Sequence, residues 1–229
     1  MDKESLFTQS KQRVGHLLPK ETFMDYAHPN NRMLIAVTLL RQGEEDLAYH
    51  LYQEIVAEGP KENPNHHFAF VRSLIDLSEV DSKYERFADA TNKLQLALRH
   101  FPDSMGYMTS KVHLEVYLAY YLYLAGDRPE ALKQIAHVCK QEKSRFELMP
   151  LLDAKVIVGP GLCYALHQWA LFYVMEEKWG QAISKIVEMK AFAHVVEETY
   201  VAEALQLQES DPEAAFQLLE QAFQYEDVD

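Results

Sequence analysis

Residues 108–141 read MTSKVHLEVYLAYYLYLAGDRPEALKQIAHVCKQ, and this stretch decides the fold class. Its first half runs to Leu124 without a glycine or proline. The segment AGDRPEA then supplies a helix-ending Gly126, an Asp127 cap and a first-turn Pro129. Behind the turn, Ala131, Ile135 and Val138 fall at offsets of four and seven, one face of a second helix. The phrase of an alanine with apolar residues four and seven later occurs five times. It appears as Gly43, Ala48, Tyr52, Ile55 and Pro60; as Ala90, Leu94, Ala97 and Pro102; as Ala182, Ile186 and Met189; and as Ser210, Ala215, Leu219 and Ala222. Such a recurrence predicts repeated helical hairpins.

The alanines are separated by 42, 41, 51 and 33 residues, so the repeat is irregular. What binds the phrases together is a glycine five residues before the alanine (43 with 48, 126 with 131) and a proline twelve after it (48 with 60, 90 with 102). Working outward, a first helix is expected over Lys3 to Leu18, stopped by Pro19, as a cap on the first repeat. A loop through Tyr26–Asn31 leads to a hairpin of helices over Arg32–Gln42 and Glu44–Glu58. The second hairpin starts near Asn65 and passes through a polar loop at Val80–Lys83, giving it a long connection. Residues 142–161, ending in Gly159-Pro-Gly161, read as an insertion or broken helix around a short β-branched stretch. The fourth hairpin starts at Leu162 and the fifth at Glu197, and the acidic tail EDVD is expected to fray. The domain reading is an N-terminal helix and loop over 1–28, then one helical-repeat domain over 29–229.

Composition agrees. Eight glycines, nine prolines and 48% hydrophobic residues in 229 favour helices around a sizeable core, and the chain reads as all-α. The formal charge of −13, from 35 acidic and 22 basic residues, opposes binding to nucleic-acid phosphates or anionic membranes and favours a basic partner. Cys139 and Cys163 are too few and isolated for a disulfide framework, pointing to buried thiols in a reducing compartment. The charged start MDKESLFTQSKQR and the lack of a long apolar run predict a cytoplasmic protein with neither leader nor membrane span.

From about Pro29 to Tyr225 the pattern resembles the tetratricopeptide repeat (TPR). In that family, two antiparallel helices pack through a small residue on the second, and the repeat ends in proline. Ala36, Ala119 and Ala170 stand twelve residues before Ala48, Ala131 and Ala182, where the family places a small residue at the helix crossing. Trp169 and Tyr173 flank Ala170 as the family's aromatic signature would, and Trp179 follows the turn. At the same offset the second copy has Ser78 and the fifth Glu203, which depart from the pattern; the fifth reads as a capping hairpin. The resemblance implies a right-handed α-solenoid of about five irregular TPR-like hairpins whose function resides in a concave groove.

On that implication the groove would be lined from the first helices: by Asn30, Met33, Val37 and Arg41; by His113, Val116, Tyr120 and Tyr123; and by Tyr164, His167 and Leu171. Tyrosines offer large contact area at modest ordering cost. Arg41 and Arg72 could receive a ligand carboxylate by a forked contact. No catalytic, cofactor or metal site is expected. His66 and His67 diverge on a helix, HExxH and CxxC are absent, GxGxxG and GxSxG are absent, and Cys163 after Gly159-Pro-Gly161 is the sole hook for a reactive centre. The expected function is a non-enzymatic scaffold or adaptor holding a protein or peptide segment. The alternatives are a bacterial regulator responding to a signalling peptide, for which the thirty residues ahead of the repeats are short of an effector module, and an inhibitory binder of a basic protein. Oligomeric state stays open between monomer and homodimer.

Overall fold

Helical periodicity persists through residues 2–106 and 109–223, the residues described in the computed structural model, and yields thirteen α-helices and no strand among them. The chain divides into two units, Met1–Thr109 and Ser110–Asp229. The first holds α1 (Lys3–Val14), α2 (Lys20–Met24), α3 (Pro29–Arg41), α4 (Glu45–Ala57), α5 (Pro64–Lys83), α6 (Phe87–Arg99) and a 3-10 turn over Asp103–Met105. The second holds α7 (Lys111–Leu124), α8 (Arg128–Glu147), α9 (Leu151–Ile157), α10 (Gly159–Met175), α11 (Trp179–Glu188), a 3-10 turn over Met189–Ala191, α12 (Glu198–Leu207) and α13 (Pro212–Ala222). The tail EDVD lies outside the described residues.

Sequential pairs make the hairpins: α3 with α4, α5 with α6, α7 with α8, α10 with α11 and α12 with α13. Four of them close through one and the same turn. Gly43, Glu85, Gly126 and Glu177 take left-handed backbone angles, with φ of 79°, 57°, 92° and 56°. In each turn the next residue's N–H reaches back five positions: Glu44 donates to the Leu39 carbonyl at 2.9 Å, Arg86 to Asp81 at 2.8 Å, Asp127 to Leu122 at 3.0 Å and Lys178 to Tyr173 at 2.9 Å. The left-handed residue itself donates three positions back, to Leu40, Ser82, Tyr123 and Val174. This is the Schellman closure, which satisfies carbonyls that a helix end would otherwise leave bare.

A fixed turn fixes the register of the helix behind it. Seven residues before each left-handed position stand Ala36, Ser78, Ala119 and Ala170, and five after it stand Ala48, Ala90, Ala131 and Ala182; all eight are fully buried. Small side chains on both helices allow the close crossing, and a large one would overpack it by about 1–3 kcal/mol. The second hairpin therefore obeys the pattern it was expected to break. Val80 and Asp81 are buried, α5 continues to Lys83, and the connection is three residues with Glu85 in the glycine's place. In the fifth hairpin Glu203 is exposed and Ala204 is buried, so the small residue stands eleven rather than twelve positions before Ala215, across a four-residue connection over 208–211.

Within the first unit α1 packs on α3 and α4, so Leu6 and Val14 share a core with Ile35, Leu39, Leu51 and Tyr52. The next hairpin joins through α5, which packs on both α3 and α4. Within the second unit α10 packs on α7 and α8, while the fifth hairpin attaches through α13 on α11. Residues 142–161 are helix interrupted at 148–150 and again at Val158, a broken helix as the sequence allowed. α8 runs on to Glu147, α9 packs on α8 and α10, and Gly159-Pro160 forms the first turn of α10, where proline's missing N–H costs nothing. Gly159 is required by a close approach: a Cβ there would stand 2.5 Å from the Phe192 carbonyl oxygen.

Candidate functional site

The candidate residues of the first unit do not converge. Asn30 sits at the start of α3, its N–H donating to His28 Nδ1 at 3.2 Å, while its side-chain oxygen is buried without a partner. Arg41 is exposed at the end of the same helix. Arg72 is engaged internally, its Nη2 lying 2.8 Å from Asp76 Oδ1, with Thr109 at 3.5 Å. Asp76 is buried, which pushes its carboxyl above the usual range, with Arg72 pulling the other way. The guanidinium expected to await a ligand carboxylate thus already holds one.

An ionic hub that the sequence did not flag lies in the same unit. Asp81, fully buried, accepts from Tyr49 Oη at 3.0 Å and Arg86 Nε at 2.8 Å, and pairs with Lys93. Because Asp81 also gives its carbonyl to the Arg86 N–H, backbone and side chains clasp the same turn. Its role is in the fold.

In the second unit the expected stripe on α7 divides. Val116 and Tyr123 are buried. Tyr123 stacks flat on Phe172, with centroids 4.5 Å apart and planes at 2°, beneath the Arg128 guanidinium at 5.2 Å. Tyr120 is half-buried beside Tyr121, at a centroid distance of 6.1 Å. The outward residues one turn apart are instead His113 and Tyr117, and both meet Tyr164 of α10. His113 lies 4.6 Å from the Tyr164 ring at a 30° tilt, and Tyr117 meets it edge-on at 6.3 Å. Tyr117 is 37% exposed, and His113 and Tyr164 are half-buried. The spacing of 113 and 117 at four was the available signal, hidden by so many neighbouring tyrosines.

Burial lowers the His113 pKa, so the imidazole favours its neutral form, and its Nδ1 has no hydrogen-bond partner. Burial, with Tyr117 adding to it, pushes the Tyr164 hydroxyl up, so it stays a protonated donor. One turn along α10, His167 Nε2 stands 2.8 Å from Glu220 Oε1 of α13. His113, Tyr117 and Tyr164 thus share ring contacts across α7 and α10, with the His167–Glu220 pair one turn further along α10.

Both thiols are buried, and burial pushes each up to about 12. Cys163 faces the Met189 carbonyl at 3.9 Å. Among the described residues, no group of three or more His, Cys, Asp or Glu side chains is placed to hold a metal. His67 Nε2 instead lies 2.8 Å from the His100 carbonyl oxygen, and His66 packs edge-on to His28 at 4.7 Å. Among the same residues, no helix is long and apolar enough to cross a membrane. The chain matches no protein-family model and no curated protein.

Proposed function

We propose that this chain is a TPR-like solenoid that acts without catalysis, holding an extended segment of a basic partner protein on the outward faces of its first helices. The observation that carries the reading is the His113, Tyr117 and Tyr164 cluster, in which two consecutive first helices offer aromatic rings across their junction. Rings with few rotatable bonds and protonated hydroxyls suit peptide backbone and side-chain stems. The net charge of −13 selects for a basic sequence. The four shared turns support a stacked-hairpin architecture, and the buried, raised thiols support a binding rather than a nucleophilic role.

The test is selection of peptides from a random displayed library, followed by titration of the winners. Enriched basic peptides should lose at least about tenfold in affinity on Tyr117→Ala or Tyr164→Ala, roughly the 1.4 kcal/mol of an interface anchor. Selection without enrichment, or winners indifferent to both substitutions, would remove the reading.

A further inference from the structure

The short helix between the third and fourth hairpins presents its side chains the wrong way round for an isolated surface. α9 is anchored inward by Ala154 and then Val158, both buried in a small cluster with Phe146, packed by Met149 and Phe192. Its larger residues, Leu151, Leu152, Val156 and Ile157, face solvent, as does Leu148 at the end of α8. Leu148 is 86% exposed and Leu152 75%. A helix on a protein surface ordinarily buries its bulky residues and exposes its small ones. Five such side chains at about 100 Å² each present on the order of 500 Å² of apolar surface, the scale at which a patch is commonly functional.

We propose that this face joins two copies of the chain through a parallel, two-fold contact between their α9 helices. A contact centred on Leu152 and Val156 covers those two fully and their neighbours in part, on the order of 500 Å² over both copies, the size of a weak, concentration-dependent association. The flanking charges choose the occupant and the direction. By helical geometry Leu152 and Val156 form the ridge opposite Ala154, with Asp153 on one flank and Lys155 on the other. A two-fold axis along the helix sets the left flank of one copy against the right flank of the other, so Asp153 meets Lys155 of the second copy, and this happens twice. An antiparallel arrangement would oppose Asp153 to Asp153. The repulsion between two chains of −13 is screened at physiological salt beyond about 8 Å. The surface is distinct from the aromatic cluster of His113 and Tyr164.

Sedimentation velocity of the full chain over a wide concentration range tests this directly. A monomer–dimer equilibrium is expected. Leu152→Lys and Val156→Lys, at exposed positions that leave the melting curve unchanged, should each raise the dissociation constant at least about tenfold. Asp153→Lys and Lys155→Asp should each weaken the dimer, and the double exchange should restore it. A monomer at every concentration overturns the proposal, as does a dimer indifferent to the lysine substitutions or an exchange that fails to restore. Co-sedimentation of monomer with phosphatidylcholine and phosphatidylglycerol vesicles, lost on Leu152→Lys, would overturn it in favour of a lipid surface.

Discussion

Glu85 and Glu177 hold the same left-handed backbone position, φ +57° and +56°, that Gly43 and Gly126 hold in the other two turns. A side chain at such a position costs on the order of 1–2 kcal/mol, against which glycine loses about 0.5–1 kcal/mol more chain entropy on folding. Glu85→Gly and Glu177→Gly are therefore expected to stabilise the protein by about 0.5–1 kcal/mol each. Gly43→Ala and Gly126→Ala should destabilise it by the same net amount, about 0.5–1 kcal/mol, since an added Cβ there meets nothing within 4 Å and only the backbone angle resists. Thermal melting of the four variants in one buffer checks both signs.

Removing the carboxylate of Asp81 withdraws the acceptor shared by Tyr49, Arg86 and Lys93. Arg86 and Lys93 can turn to water, which moderates the loss, and Asp81→Asn should cost about 2–3 kcal/mol, in the range for hydrogen bonds to a charged group. Urea unfolding gives the value. Asp89→Asn, at an exposed position on α6, should stay within about 0.5 kcal/mol.

His113 titrates below its ordinary value because it is buried. Its contribution to stability is complete above that ordinary value, about 6.5, and is lost as pH falls through the depressed native value, because the unfolded chain takes up the proton first. Between about pH 7.5 and pH 5 the wild type should lose stability relative to His113→Phe, by up to about 1.4 kcal/mol per pH unit. Urea unfolding of both proteins across that range measures the difference, and parallel curves would place the imidazole in water.

Cys139 and Cys163, with thiols pushed up to about 12, carry almost no thiolate near neutrality. A coloured disulfide reagent should label both roughly a thousandfold more slowly than free cysteine until urea opens the fold. Rapid labelling of Cys163 in the native protein would reopen the start of α10 as a reactive centre.

Much of the architecture was legible because helix phase and turn chemistry leave local marks. The alanine phrases and Ala36, Ala119 and Ala170 marked the crossings, and Gly43 and Gly126 marked two turns. The turn before Trp179 was placed as well, while the one at Glu85 escaped because glutamate is an unusual left-handed residue, and Ser78 was discounted with it. Asp81 read as a loop residue because a polar side chain shows its burial only when Arg86 and Lys93 arrive from the next helix. Residues 142–161 read as an insertion or a broken helix; the breaks fall at 148–150 and Val158, and Gly159-Pro160 opens α10 because that pair marks a helix start as well as a helix end. The site was less legible. The division of the α7 tyrosines between the core, where Tyr123 meets Phe172, and the surface, where Tyr117 meets Tyr164, is decided by α10, about fifty residues away.

The shared turns also say where this chain could change its length. From Ala36, Ser78, Ala119 or Ala170 to the partner alanine the count is always twelve. One codon inserted or lost inside that span would swing the second helix by about 100° and turn its buried face outward. The segments between hairpins carry no such count, and the unequal intervals of 42, 41, 51 and 33 residues arise there and in the last hairpin, where the count from Ala204 to Ala215 is eleven. The molecule behaves like a text with four fixed words and elastic spaces, tolerant of insertion and deletion only in the spaces.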